Sequence, residues 1–430
     1  MISVEQLKAG FDLSRMAGLI DRFGQIGKDP DGGVTRLAFT DKDVEARKVF
    51  LKILENEFSL DIRIDALGNI FARRPGRHRD WPAILTGSHL DSVRNGGRYD
   101  GPAGLFSSLE AFRVLDLFGI ETDHPFELCL LTAEEPNDFG ISTFGSRGMA
   151  GIIKKEDVRR LMDERGNEFP SALKTVGGNM EEMDGAVRSP EEIAYFLELH
   201  IEQMPFLDSE KRDIGVVEGV TGIFRQTLIL TGEADHGGTT PMDRRKDALC
   251  AASEIILKLE AAAKEEDGLA VATVGHISVF PNSINITPAR VTLDMEVRSF
   301  YADRIRRIRQ KLEDRIRETD ALRKIQIERI VTYDSAPVRF SSPVKQAIAE
   351  AADRLGLKRR NLISMAGHDA AHLSRITEAG MIFIPCRAGR SHCPEEFTET
   401  SSIVKGAQCL LQALLLLDQR KRSDLPYARH

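Results

Sequence analysis

Residues 82–101 constrain the fold more than any other stretch of this 430-residue chain. Ala83-Ile84-Leu85-Thr86-Gly87 has the character of a buried strand and runs straight into His89 and Asp91. A glycine-rich turn, Asn95-Gly96-Gly97-Arg98-Tyr99, then delivers Asp100 at the mouth of a helix with Pro102 in its first turn. An imidazole and carboxylates presented by rigid elements across a short loop are what a metal ion requires of a protein.

The rhythm around this segment is α/β. Residues 43–58 predict an amphipathic helix, 62–71 short strands around Leu67-Gly68, and 102–118 a helix. Residues 126–132 form a nearly continuous apolar run, suited to the interior of a largely parallel sheet. Residues 151–192 read as helical, polar and irregular, and 193–201 as a strand that ends at His200. From residue 216 the order changes. Strand-like stretches at 216–231, 270–279, 289–299 and 324–333 alternate with helical ones at 243–263 and 302–320. That βαββαβ order belongs to the split βαβ, ferredoxin-like sandwich. After Pro337 the α/β rhythm returns, with helices at 343–355, 369–377 and 401–417 and strands at 361–365 and 381–385. The expected architecture is an α/β domain made of residues 1–213 and 334–430, with a mixed, largely parallel sheet and helices on both faces. An α+β domain, residues 214–333, is inserted in it. The basic, polar tail at 419–430 is expected to be loose.

Composition narrows the function classes. A formal net charge of −7 argues against a nucleic-acid or anionic-membrane footprint. No run is read as approaching the ~20 apolar residues of a spanning helix, and residues 1–6 show neither a basic leader nor an apolar h-region. Cys129, Cys250, Cys386, Cys393 and Cys409 are an odd number without framework spacing, which predicts reduced thiols and a cytoplasmic location.

Several further residues stand at strand ends. His89 and Asp91, two apart, can point the same way, so that the Asp91 carboxylate holds the second ring nitrogen of His89. Glu134 and Glu135 follow the apolar strand at 128–131, where one carboxylate can ligate a metal while its neighbour remains a general base. His200 closes Phe-Leu-Glu-Leu-His, and His392 lies in a loop after the strand at 381–385. Taken singly, these also suit a hydrogen-bonded core histidine, a helix N-cap at Asp100 or a solvated Glu-Glu pair. Five such sites in one α/β domain favour the metal reading.

The strings Gly-Ser-His-Leu-Asp-Ser-Val with Gly-Gly-Arg-Tyr-Asp-Gly, Ala-Glu-Glu-Pro-Asn, Glu-Leu-His-Ile-Glu-Gln and Ser-His-Cys-Pro-Glu-Glu resemble the dinuclear metal amidohydrolases of the M20 type. More narrowly, they resemble the branch of N-carbamoyl-L-amino acid hydrolases, allantoate amidohydrolases and β-ureidopropionases. The resemblance implies one metal on His89, Asp100 and His200, a second on Asp100, Glu135 and His392, and Glu134 as general base. Zn²⁺ leads, with Mn²⁺, Co²⁺ or Ni²⁺ compatible with the same N and O donors. It further implies that His236 stabilises an oxyanion, that Asn285 and Arg298 hold a substrate carboxylate, and that Gln203 and the Gly367-His368-Asp369 turn line the pocket. The inserted domain would serve as lid and homodimer interface, with His236 and Asn285 reaching across to the partner subunit. The implied reaction is hydrolysis of a carbamoyl or ureido C–N bond with release of ammonia and CO2. The alternatives are an aminoacylase or dipeptidase on the same scaffold and a catalytically silent metal-binding protein. Asp138 and Gly237 depart from the commoner Arg and Ala of the resembled pattern. His78, His124, His276, His372 and His430 match no motif and are expected to be structural or exposed.

Overall fold

The computed structural model describes residues 3–420, so the tail at 421–430, His430 included, lies outside the described residues. The chain divides into two compact units. One holds the residues up to Glu218 together with those from Phe340 onward, and the other is Gly219–Arg339.

The strands are β1 (Asp61–Ile64), β2 (Ile70–Arg74), β3 (Ala83–Ser88), β4 (Phe126–Leu130), β5 (Ile193–Ile201), β6 (Ile214–Val220), β7 (Gly222–Thr231), β8 (Ala270–Phe280), β9 (Arg290–Ser299), β10 (Gln326–Ser335), β11 (Val338–Arg339), β12 (Arg359–Ser364) and β13 (Glu378–Ile384). In the first unit the sheet runs β1-β2-β4-β3-β5-β13-β6, with β12 paired to β6. Its centre, β4-β3-β5-β13, is parallel, and the pairings at the margins, β1/β2, β2/β4 and β13/β6, are antiparallel. Because β3 leads to β4 on one side while β5 lies on the other, the strand order reverses between β3 and β5. A crevice at the carboxyl ends of the strands forms at such a switch point.

Every position of β3, β4 and β5 is buried, which explains why their sequences are predominantly apolar. Alternation along β5 and β13 sends Leu197, Leu199, Ile201, Ile382 and Ile384 into a core shared with the helices Leu13–Gly24, Pro102–Leu117, Ser342–Arg354 and Thr400–Asp418. The other face carries Phe196, Glu198, His200 and Phe383 and meets the short helix Asp369–Leu373. In the second unit an antiparallel sheet, β10-β7-β9-β8, buries Val291, Leu293, Met295 and Val297 against the helices Ala248–Lys264 and Ala302–Arg323.

Several elements differ from expectation. The stretch at 216–231 is two strands, not one, broken at Thr221. Val216 and Gly215 pair with Ile382 and Phe383 of β13, which draws residues 214–218 into the first unit. Two N-terminal helices, Val4–Gly10 and Leu13–Gly24, precede the expected elements. Residues 151–192 are only partly helical, and the helix expected at 369–377 stops at Leu373. Thr400–Asp418 is 19 residues long and apolar enough to cross a membrane by length and composition, contrary to the run-length reading. Its Ile403, Leu410, Leu411, Leu414 and Leu417 are core residues of the first unit.

The Pro102–Leu117 helix lies so close to β5 that a Cβ on Gly104 would stand 2.0 Å from the Leu199 carbonyl oxygen. Gly104→Ala therefore forces the helix off the sheet and is expected to cost about 3 kcal/mol in urea unfolding. Gly18→Ala, on an exposed helical position with no atom within 4 Å of the added carbon, should instead stabilise by up to about 1 kcal/mol.

Candidate metal centre

The four parallel strands place their chemistry at one edge of the sheet. His89 and Asp91 follow β3, Glu134 and Glu135 follow β4, His200 and Gln203 sit at the end of β5, and His392 follows β13. Three of these loops turn through left-handed backbone at non-glycine residues: Ala133 (φ 54°), Gln203 (φ 57°) and His392 (φ 56°). Asp100 comes from the turn before the Pro102–Leu117 helix. Gly101 there has φ 80°, and a Cβ on it would stand 2.6 Å from the His89 ring.

Asp100 divides its two oxygens. Oδ1 lies 3.0 Å from His200 Nε2 and 3.7 Å from His89 Nε2. Oδ2 lies 3.5 Å from His392 Nε2, which is itself 3.1 Å from Glu135 Oε1. The result is two donor groups, His89/Asp100/His200 and Asp100/Glu135/His392, each with ligand atoms within 4.8 Å of one another. They share only Asp100. Glu134 stands beside them, its Oε2 3.7 Å from His89 Nε2.

The donors fit a pair of divalent cations. His89 Nδ1 donates to the Asp91 carbonyl at 3.0 Å and His200 Nδ1 to the Ile201 carbonyl at 3.0 Å, so in both rings Nε2 faces the carboxylates. His89 Nε2 is buried and makes no hydrogen bond, an orphan that a cation would satisfy. All donors are nitrogen or oxygen, a set suited to zinc and its neighbours.

Titration properties describe the same charge balance. Burial would raise the Asp100 carboxyl, but His200, His392 and His89 outweigh it and hold it well below its ordinary value. Burial would lower the His89 imidazole, yet Glu134, Asp100 and Asp91 keep it well above. His392, hydrogen-bonded to Asp100 and Glu135, is pushed up to about 11. Glu134 moves upward through burial, reinforced by Glu135, Asp369 and Asp100 against the opposing pull of His89. A divalent cation bound here would take the place of the proton on each ligating imidazole nitrogen.

Four further residues support the site; Glu396, Ser391 and Glu198 carry no expected role, and Asp369 belongs to the turn expected to line the pocket. Glu396, buried, takes the amide N–H groups of Tyr99 (2.9 Å) and Asp100 (3.0 Å) on one oxygen. Ser391 Oγ sits 2.7 Å from both Asp100 Oδ2 and Glu396 Oε2. Buried Glu198 accepts from Ser88 Oγ and the Ala370 amide, and buried Asp369 from Ser146 Oγ at 2.5 Å. Glu396 and Ser391 stand inside the quoted Ser-His-Cys-Pro-Glu-Glu string, so burial of a carboxylate next to a motif was the available signal.

Two expected roles change. The Asp91 carboxylate does not hold His89, whose ring bonds the Asp91 backbone carbonyl with the carboxylate 3.6 Å away. Instead it accepts the amides of Glu134 (3.3 Å) and Glu135 (2.9 Å) and clamps that turn. His368, expected to line a substrate pocket, is buried, with Nε2 2.9 Å from Ser364 Oγ and its ring 4.5 Å from that of His200. It supports the His200 ring from behind. Gly367 is exposed with open space around it. Gln203 donates Nε2 to Asp100 Oδ2 at 2.6 Å.

The second unit assembles the other constellation by itself. His236 Nδ1 accepts from the Gly238 and Thr239 amides at 3.0 and 3.2 Å, which leaves the proton on an exposed Nε2. Gly237 donates its amide to the Asn285 carbonyl at 2.7 Å, and a Cβ there would come within 3.0 Å of that carbonyl. The glycine at this departure from the resembled pattern thus lets the His236 and Asn285 loops meet. Arg298 lies on the polar face of β9 and pairs through Nε with Glu296 at 2.5 Å. In the first unit, Asp138 is matched by Arg94 at 2.6 Å. Of the remaining histidines, His78 stacks on Trp81, His124 bonds Pro82, His276 pairs with Asp294, and burial lowers His372 to about 4.

Comparison with known proteins identifies the family. The model of peptidase family M20/M25/M40 matches residues 85–416. The chain is 36% identical over 387 residues to an N-carbamoyl-L-amino-acid amidohydrolase of Paenarthrobacter aurescens, covering 90% of this chain and 94% of that one. It is 33% identical over 398 residues to an allantoate amidohydrolase of Bacillus subtilis, covering 93% and 96%. A solved amidase of the hydantoinase/carbamoylase family from Burkholderia multivorans superimposes with a TM-score of 0.86 at 34% identity, over 95% of this chain and 98% of that one. The chain belongs to the M20/M25/M40 peptidase family, in its hydantoinase/carbamoylase branch of amidohydrolases.

Proposed function

We propose that this hydrolase cleaves the carbamoyl or ureido C–N bond of a small carboxylate-bearing substrate at a dinuclear centre. The observation that carries the reading is the division of Asp100 between two donor groups with Glu134 beside them. His89, Asp100 and His200 would hold one divalent cation, and Asp100, Glu135 and His392 the other, with Zn²⁺ favoured and Mn²⁺, Co²⁺ or Ni²⁺ compatible. Such ions, when bound, polarise a carbonyl and lower the pKa of a water. Glu134 takes a proton from the attacking water and passes it to the nitrogen that leaves; the carbamate so formed falls apart to ammonia and CO2. Gln203 braces Asp100 while its Oε1, buried and without a partner, is offered to a substrate N–H.

The second unit we read as a ferredoxin-like lid that completes the site. His236, with its proton fixed on Nε2, is set up to donate to a developing oxyanion. Asn285 and the planar fork of Arg298 would hold the substrate carboxylate. β8 is an edge strand whose Val271, Ile277 and Phe280 are exposed, which favours this unit as the surface of a homodimer. The five thiols, none in a disulfide, suit the cytoplasm.

Three outcomes follow. Glu134→Gln should lower kcat at least about 100-fold while metal content by elemental analysis stays at the wild-type level. Asp91→Ala frees the Glu134-Glu135 turn and should weaken Zn²⁺ binding about 10-fold to 100-fold, read by titration against a competing chelator. Sedimentation should give a dimer, and Ile277→Lys combined with Phe280→Lys should give a monomer.

A further inference from the structure

Arg36 is 1% exposed and lies outside residues 85–416, the span of the family model. None of its hydrogen bonds reaches a metal donor or Glu134. Its main chain and side chain together grip residues 90–92 instead. Arg36 Nε donates to the Leu90 carbonyl at 2.6 Å, and the Arg36 carbonyl accepts the Ser92 amide at 3.0 Å. The Arg36 amide donates to Ser92 Oγ at 2.9 Å. The two peptide units that flank Asp91 are both held in this way.

In a trans peptide the C=O and N–H point in opposite directions. The Asp91-Ser92 unit is therefore a bridge: its N–H rests on Arg36, and its C=O takes the Nδ1 proton of His89 at 3.0 Å. With both flanking peptides fixed, the Cα–Cβ bond of Asp91 is fixed too. Its carboxylate then meets the amides of Glu134 (3.3 Å) and Glu135 (2.9 Å). Behind Arg36 stands the helix Leu13–Gly24. Nη1 donates to the Phe23 carbonyl in its last turn at 2.8 Å and to the Ile26 carbonyl just beyond it at 2.9 Å. That is the negative end of the helix, a fitting brace for a buried cation. A lysine has one ammonium and no separate Nε and Nη1, so it cannot span these carbonyls together.

We propose that Arg36 is a positioning residue of the dinuclear centre. It sets the His89 ring through the Asp91 carbonyl and the Glu134-Glu135 turn through the Asp91 carboxylate. The proposal rests on the dinuclear reading of the site. Because His89 and Glu135 belong to different donor groups, loss of Arg36 loosens both ions and not one.

Arg36→Lys should weaken Zn²⁺ binding at both sites about 10-fold to 100-fold, read by titration of the purified enzyme against a competing chelator. Adding Asp91→Ala to it should weaken binding no more than about threefold further, because the carboxylate route is already slack. At saturating Co²⁺ the visible spectrum, which reports ligand geometry, should change shape in Arg36→Lys. A loss of folded protein alone scales its amplitude and leaves the shape. Ser92→Ala keeps the guanidinium and removes the hydroxyl that accepts the Arg36 amide; it stands in should Arg36→Lys not fold, and should weaken Zn²⁺ about threefold. Wild-type affinity in the folded variant, an unchanged spectral shape in Arg36→Lys, or full multiplication of the two single effects overturns the positioning role and leaves the dinuclear reading standing. A wild-type enzyme that binds no Zn²⁺ overturns both.

Discussion

A carboxylate buried at 6% exposure is tolerable only when each of its oxygens meets a cation or a donor, and Asp100 meets five. His200 and His89 face Oδ1, while Gln203, Ser391 and His392 face Oδ2. Those five groups come from the ends of three neighbouring parallel strands, β3, β5 and β13. Asp100 itself is fixed from below, since its amide and that of Tyr99 are both held by Glu396. Gly97 must lack a side chain for this to happen, because a Cβ there would stand 2.0 Å from the Glu396 carboxyl. One charge placed at the switch point of the sheet thus ties together the loops that follow β3, β5 and β13, beside the one that follows β4.

Those loops do not relax. Ala133, Gln203 and His392 hold left-handed backbone at about 1–3 kcal/mol each, and each stands in or beside a donor group. The surroundings that fix them are identifiable. The Phe144 and Thr143 amides bond the Ala133 and Glu134 carbonyls, while the Asp91 carboxylate holds the Glu134 and Glu135 amides from the other side. Further back, buried Arg36 donates to the carbonyls of Leu90, Phe23 and Ile26, which pins the residue between His89 and Asp91. A strained turn between rigid elements presents its side chains more reproducibly than a free loop does.

What could be read from the sequence follows from where the physics is local. Strands β3, β4 and β5 announce themselves because a strand buried on both faces is mostly apolar, and the chemistry-bearing residues gather where the run stops, at the crevice. Hence His89, Glu134, Glu135 and His200 were legible. Glu198 and Asp369 stand in the Glu-Leu-His-Ile-Glu-Gln and Gly-His-Asp strings, but their bracing contacts were not legible, since nothing local distinguishes a buried carboxylate with serine and amide partners from a solvated one. The break at Thr221 was hidden for a related reason: β6 and β7 are both apolar, and only pairing partners far along the chain assign them to different sheets. The helix Leu13–Gly24 did carry its signal, with Met16, Leu19, Ile20 and Phe23 spaced for one buried face. His368 misled because a histidine beside a motif reads the same whether it faces substrate or supports another ring.

The histidines also show how one residue type comes to do opposite chemistry. In His89 and His200 a backbone carbonyl takes the Nδ1 proton, so that Nε2 is directed at carboxylates with its lone pair available to a cation. In His236 two backbone amides point at Nδ1, so the ring must carry its proton on Nε2 and can act there only as a donor. The choice is made by whether the chain offers C=O or N–H at the near nitrogen, and neither arrangement uses a charged side chain to impose it. A strand end offers carbonyls, because the ladder has just stopped. A tight Gly-Gly turn before a helix offers amides, for the same reason that helix N-termini do. Which ring nitrogen is presented is therefore a consequence of the local backbone, which is why the two patterns fall on a sheet edge and a glycine turn.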